Sequence, residues 1–555
     1  MSKGAVKGWF KSGTPWVWLT AGAVSLSLIA VLGLLLLIAW RGLIYFWPAS
    51  LYEFTVADGQ GQQQLVGEIY DRIAVPVRQL REAGHPLPGK AADDKVTRYL
   101  IKTGNRELLG MDFRTVLATD IKARQQPAGL AVFERRENGN VYGQVQSVVI
   151  AGKTIPAEQQ RQALQAEINR IGQLRRQADE LQKQQIGKIN YQLEQLRLKS
   201  RRMALDKTLT GSVKTAMDQQ RQQLQQHYQQ LAKTLFSLRK KMQGSEVKVA
   251  IMQGQTLTLP LSSVLAVNYP NAMTVLDKIG HFASGLWHFV ADNPREANTE
   301  GGVFPAIFGT IFMVLLMAVI VTPFGVLAAI YLHEYAGNNL LTRITRIAVI
   351  NLAGVPSIVY GVFGLGFFVY MVGGSIDKLF YPEALPSPTF GTPGILWSAL
   401  TMAILTLPVV IVSTEEGLTR IPPALRQGSL ALGATKAETL WHIVLPMVSP
   451  AIMTGVILAV ARAAGEVAPL MLVGVVKLAP SLPLDANFPF VHLDRKFMNL
   501  GFHIYDMAFQ SPNVEAARPL VYATALLLVL VILTLNLTAI GFRNHLRSRF
   551  RMLEY

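Results

Sequence analysis

Cysteine is absent from this 555-residue chain. That excludes disulfides, thiolate metal sites and a cysteine nucleophile, and leaves the compartment open. Charge is scarce: 16% of residues are charged and 50% are hydrophobic, whereas a soluble globular protein carries about 25% charged residues. Motifs for hydrolysis are missing as well. The nearest P-loop decoy, Gly152-Lys153-Thr154, has Ser147 where that motif requires glycine. His333-Glu334 has Gly337 where a zinc-binding H-E-x-x-H would place its second histidine. The 9 histidines are scattered and suggest no Ser/His/Asp grouping. No catalytic site, no metal site and no directly bound cofactor is therefore expected. A small soluble enzyme, a disordered chain and a nucleic-acid-binding domain all fit poorly.

The charge that is present is unevenly spread. Of 89 charged residues, 58 fall in 49–300, 34 of them basic and 24 acidic. The flanking segments hold long runs free of Asp, Glu, Lys, Arg and His: 12–40, 301–332, 347–376, 384–414, 443–461 and 519–542. A spanning helix needs about 20 apolar residues, so six spans are expected. Gly361, Gly364, Gly366, Pro323, Pro356 and Pro408 lie within or near them, as packing against partner helices permits. The apolar core from Leu19 to Ala39 exceeds the 7–15 residues of a signal peptide, and reads as an uncleaved anchor.

Cytoplasmic segments carry an excess of Lys and Arg. With both termini inside, the short segments hold 12 basic residues inside (Lys3, Lys7, Lys11, Arg343, Arg346, Arg420, Arg426, Lys436, Arg543, Arg547, Arg549, Arg551) against 5 outside. Three domains follow: an N-terminal segment and anchor (1–48), an outer domain (49–300) and a five-span transmembrane domain (301–555). In the outer domain, 128–152 reads as a hairpin around Gly139 and Asn140, 246–267 as one or two strands, and 271–291 as an amphipathic helix. Across 157–242 apolar residues recur at spacings of three and four, from Leu164 to Leu196 and from Met217 to Met242. This predicts an antiparallel coiled-coil hairpin with a break at Asp206–Ser212 and arms of roughly 60 Å. The segment holds 17 basic and 7 acidic residues. It could be an electrostatic surface for an acidic partner or simply a solvated face.

Two features carry chemistry. The cytoplasmic loop 418–446 reads as helix, turn, helix. Pro422 and Pro423 open the first helix, Gly433 ends it, and Thr435 with Glu438 forms a capping box for the second. Pro446 then begins the next element, and the small residues Gly428, Ser429, Ala431 and Ala434 allow another surface to approach closely. The second feature is Arg462 with Glu466, both within span five. A charge at mid-bilayer costs about 2.5–3.5 kcal/mol on insertion scales and faces a cavity or partner. At i, i+4 the two share one helix face. Arginine can hold an oxyanion bidentately, and the carboxylate can accept a hydrogen bond from a protonated one. A purely structural ion pair is the alternative.

The loop resembles the EAA motif of ABC-importer permeases: Gln427-Gly428-Ser429 stands at the E-A-A position, followed at matching spacing by Gly433, Ile443, Leu445 and Pro446. Gln427 replaces the motif's glutamate, which removes one charge and keeps the small residues. Four blocks, 325–336, 351–368, 461–474 and 501–530, resemble phosphate ABC-importer permeases of the PstA type, in order. This resemblance covers roughly 300–555. It implies an all-α polytopic permease of the type I ABC importer fold with six transmembrane helices, here with an inserted α+β periplasmic domain. The implied partners are a second permease of the PstC type, two ATPase subunits of the PstB type that use ATP and Mg, a periplasmic phosphate-binding protein and the lipid bilayer of the inner membrane. Loop 418–446 would couple the ATPases to the gate, with Arg462 and Glu466 lining the phosphate path. Alternatives are a permease for another oxyanion or small solute, and a membrane sensor or scaffold whose coiled coil is the working part. An ion-coupled carrier fits less well, since a charged pair interrupts span five alone.

Overall fold

The computed structural model describes residues 12–550 except 59–60, 85–90, 105–109, 296–297, 299, 338 and 512–513. Lys3, Lys7, Lys11 and Arg551, used above for orientation, lie outside the described residues. The first helix, α1 (Thr14–Ile44), has Pro15 in its opening turn, where a missing N–H costs nothing. It runs alongside the C-terminal helix and touches it at Gly42, where a Cβ would come within 2.9 Å of Ala523.

Two antiparallel sheets follow. Strands β1 (Leu51–Asp58), β2 (Gly61–Pro76), β3 (Lys95–Lys102), β4 (Phe113–Leu117) and β5 (Ile121–Gln125) pair in the order β4-β3-β2-β1-β5. In the second sheet, β6 (Leu130–Arg135), β7 (Val141–Ile150), β9 (Glu246–Ala250), β10 (Thr256–Pro260) and β11 (Val264–Asn268) pair in the order β10-β9-β7-β6-β11. The β6–β7 hairpin turns through Asn138 and Gly139, both at positive φ. The P-loop decoy is the tight turn between β7 and β8 (Lys153–Thr154), with Ala151 and Gly152 at positive φ. The 246–267 region thus holds three short strands rather than one or two.

Helices α2 (Gln160–Glu180), α3 (Gly187–Leu205) and α4 (Gly211–Lys241) rise from the second sheet, with Leu164, Ile168 and Ile171 of α2 packed into its core beside Val247, Val249 and Leu261. The chain folds back at 206–210, where Lys207 has φ 56°. Two details depart from the spacing-based expectation. A π-helical turn, Leu181–Ile186, joins α2 to α3 and resets the apolar stripe. On α4 only Met217 is buried, so the seam expected to reach Met242 stays half exposed. Next, α5 (Val275–Ala291) starts on a capping box between Thr274 and Asp277.

The permease region contains α6 (Phe304–Ile330), α7 (Leu340–Leu352), α8 (Ser357–Phe380), α9 (Ile395–Thr419), α10 (Pro423–Ala431), α11 (Lys436–Gly465), α12 (Ala468–Val473), α13 (Leu500–Tyr505) and α14 (Val514–Phe550). Among the described residues six helices are long and apolar enough to cross a bilayer: α1, α6, α8, α9, α11 and α14. Helix α9 is the hub, and its Ala399, Met402 and Leu405 meet Met313 and Met317 of α6 and Ala459 and Ala463 of α11. Glycines let the backbones close: at Gly325 a Cβ would sit 2.6 Å from Val410, and at Gly417 2.5 Å from Ala451, as expected for packing without a hydrophobic drive. Two charge-free runs are shorter as spans than they read. Residues 340–352 form the separate amphipathic α7, and 384–394 is irregular up to Gly394, the N-cap of α9. Absence of charge marks apolar sequence, not helix.

Contacts agree on which segments share a side. The 331–356 segment meets 415–436 through Arg346–Glu415 at 2.6 Å and Glu334–Arg426 at 3.1 Å. On the opposite side the helical hairpin leans on the permease loops: the Tyr191 hydroxyl donates to the Phe488 carbonyl, the Tyr191 ring stands edge-on to His492, and Arg202 approaches the buried Glu383 at 3.7 Å.

Candidate functional site

The 418–446 segment is built as two helices braced against each other. Helix α10 begins at Pro423 after Pro422 and closes at Gly433, whose φ of 89° leaves the helix in the left-handed region. Helix α11 begins on the Thr435–Glu438 capping box: the Thr435 hydroxyl accepts from the Glu438 N–H, and the Glu438 carboxylate accepts from the Thr435 N–H at 2.7 Å. Between the helices Ser429 and Thr439 share a buried hydrogen bond of 2.8 Å. Ser429 therefore faces inward, and the expectation that it helps line an open contact surface is corrected. Gln427, Gly428 and Gly433 are exposed, while Ile443, Leu445 and Pro446 are half-buried. Leu432 at the bend and Trp441 in the π-helical turn of α11 are both exposed, at 91% and 70%.

Pro446 does not begin a new element. The helix from Lys436 to Gly465 is continuous. A π-helical turn at Leu440–Val444 lies immediately before Leu445-Pro446, where a proline needs a backbone already freed from the i−4 ladder. The loop's second helix and span five are thus one rod of 30 residues, about 45 Å long at 1.5 Å per residue.

Arg462 stands in the last turn of that rod. Glu466 is its C-cap, with extended backbone (ψ 136°). The two do not share a helix face, because the helix ends between them. Their closest approach is 3.8 Å, and Arg462 keeps 35% of its side chain exposed. Among the described residues the guanidinium has no hydrogen-bond acceptor, so its planar fork is free for another anion. The break leads through Val467 into α12. There Pro469 packs onto Gly361 of α8, where a Cβ would meet Pro469 at 2.7 Å, and Val467 lies against Gly501 of α13.

Two groups of residues were not singled out from sequence. Glu334 receives Arg426 of α10 and His333, both at 3.1 Å, and its carbonyl accepts from Lys436. Glu334, Arg346 and Glu415 each sit at the edge of an apolar run, and opposite charges at run ends on one side were the available signal. The second group lies beyond the spans. Lys477 pairs with buried Asp506 at 3.0 Å, Asn298 donates to Asp506 at 3.1 Å, and neither ring nitrogen of buried His503 finds a partner among the described residues. Burial pushes His503 down to about 4, against the pull of Asp506. In the loop under the hairpin, burial alone would raise Asp485, but the Asn487 N–H, Arg495 and His492 hold it at about 2.

A membrane-embedded helical bundle, a bent loop continuous with a spanning helix and a charged break at that helix's far end define a multi-pass transport permease. Residues 321–552 match the family described as "Binding-protein-dependent transport system inner membrane component". The chain is 33% identical over 270 residues to the phosphate transport system permease protein PstA 1 of Mycobacterium tuberculosis, covering 48% of this chain and 78% of that one. It is 34% identical over 251 residues to PstA of Yersinia pestis (45% and 75% covered) and 29% identical over 239 residues to a probable PstA of Methanocaldococcus jannaschii (43% and 74%). The chain belongs to the PstA-type phosphate transport system permeases, with the type I ABC importer permease fold.

Proposed function

We propose that this chain forms one half of the translocation path of an ATP-driven phosphate importer and couples that path to ATPase subunits. The observation that carries the reading is the single rod: the bent loop and Arg462 occupy its two ends. An ATPase subunit engages the exposed side chains of Leu432 and Trp441. Its motion passes through the Ser429–Thr439 and Glu334–Arg426 braces into span five and displaces the charged break. Phosphate meets the free donors of Arg462, and Glu466 accepts a hydrogen bond from a protonated phosphate oxygen. The pair completes its cavity against a second permease of the PstC type. Two PstB-type subunits supply ATP and Mg chemistry, and a periplasmic phosphate-binding protein delivers the anion.

In this reading both termini and loop 418–446 are cytoplasmic, residues 49–300 are periplasmic, and the 157–242 hairpin packs as a coiled coil in an inserted domain. Phosphate uptake by the reconstituted complex tests it. Arg462→Ala is expected to abolish uptake while the ATPase subunits still co-purify, and normal uptake in that variant refutes the role of Arg462. Competition by sulfate as effective as by phosphate would reassign the substrate to another oxyanion.

A further inference from the structure

Helix α5 carries an apolar face that none of the described residues covers. At about 100° per residue, Val275, Leu276, Ile279, Ala283, Leu286 and Trp287 fall in one arc of about 120°. Leu276 is 81% exposed and Trp287 69%. Ser284 and His288 lie on the far side of the helix, in a polar arc. The edge next to the apolar arc is seated: Phe282 and Phe289 pack on Phe46 with ring centroids 6.4 and 5.2 Å apart.

Position says what covers the open arc. Phe46 lies two residues beyond Ile44, the end of α1, whose residues 16–34 are all exposed, as a lipid-facing span requires. The same C-terminal end of α5 is bonded to the start of α6: the Val303 N–H donates to the Phe289 carbonyl at 2.8 Å and the Phe304 N–H to the Asp292 carbonyl at 3.1 Å. The helix is thus held where two membrane-spanning helices leave the bilayer, with its apolar arc exposed at that level. Trp47 packs beside Phe282 at the same level, where tryptophans favour the membrane–water boundary.

We propose that α5 lies on the bilayer surface, on the side that carries the inserted domain, with this arc sunk among the upper acyl chains as in other interfacial amphipathic helices. The anchorage fixes the inserted domain against the membrane beside the permease. The inference rests on α1 and α6 being spans, and the test reports that separately.

Because this chain has no cysteine, each introduced thiol is the only one in it, and it is labelled on the purified chain before the complex is assembled. The full complex would be placed in nanodiscs of phosphatidylcholine brominated in the upper acyl chain. Leu276→Cys, Ile279→Cys and Trp287→Cys carry a bimane label on the arc, Ser284→Cys and His288→Cys carry it on the polar side, and Leu28→Cys in α1 verifies the span. Quenching of the arc labels about twofold or more above the polar-side labels is expected from shallow burial of one face. Arc labels left unquenched while Leu28→Cys is quenched overturn the proposal, as does equal quenching on both sides. Crosslinking of unquenched arc labels to another subunit would assign the face to protein instead.

Discussion

The bend in the coupling loop turns on Gly433. Its φ is 89°, and an added Cβ would meet no atom within 4 Å. A substitution there collides with nothing, so its cost is backbone conformation alone. For an L-residue held in the left-handed region that is about 1–2 kcal/mol, less for asparagine, which tolerates this cap, and more for a β-branched residue. One to two kcal/mol is a factor of about 5–30 in an equilibrium. Gly433→Ala therefore depletes the native bend by roughly that factor relative to any alternative turn, and Gly433→Val depletes it further. Gly433 is exposed and outside the packed core, so thermal unfolding of the bundle should shift little. What should fall is the amount of ATPase subunit retained when this chain is purified, in the order Gly433→Asn, Gly433→Ala, Gly433→Val. Wild-type retention by Gly433→Val, or the reverse order, would falsify the claim that the bent shape is what the ATPase grips.

Three further outcomes follow from the packing. Arg426→Met leaves the largely buried Glu334 with only His333. It should cost about 2 kcal/mol, seen as a lower unfolding temperature that Glu334→Gln in the same chain partly restores; no recovery would mean that the pair does not interact. Gly361→Ala should drive α8 away from α12 at the 2.7 Å approach to Pro469, at about 1–3 kcal/mol, and lower phosphate uptake because the Arg462 break abuts that contact. A neutral result would show that the contact is soft. His503 bears on acid stability. Folding depresses it from 6.5 to about 4, so the unfolded chain binds the proton first. Stability is unaffected above pH 6.5, falls as pH drops from 6.5 to 4, and levels off below, a loss of about 3 kcal/mol. His503→Gln should flatten that slope in unfolding measured between pH 4 and 7, and an unchanged slope would exonerate His503.

Much of this was legible in the residues because it is local or compositional. Six spans follow from the runs of uncharged residues, since a bilayer admits little else. The helix–turn–helix of the loop follows from Pro423, Gly433, Thr435 and Glu438, each acting on its immediate backbone. The β6–β7 turn follows from Gly139 and Asn140 for the same reason. Span ends were less legible from charge alone: residues 384–394 lack charge yet stay irregular, because Pro386, Pro388, Gly391, Pro393 and Gly394 break a helix there.

Tertiary structure decided the rest. Whether Pro446 starts a helix or rides inside one depended on the π-helical turn before it. Whether Arg462 and Glu466 share a face depended on where the bundle lets the helix end. The meeting of Glu334 with Arg426, 92 positions apart by number, and of Tyr191 with the Phe488 loop required the chain to be folded, because pairing across such separations leaves no periodic trace in composition or spacing. Local backbone preferences and the solvent a segment can tolerate are written residue by residue. Partners brought together from distant segments exist only once the whole bundle has closed around them.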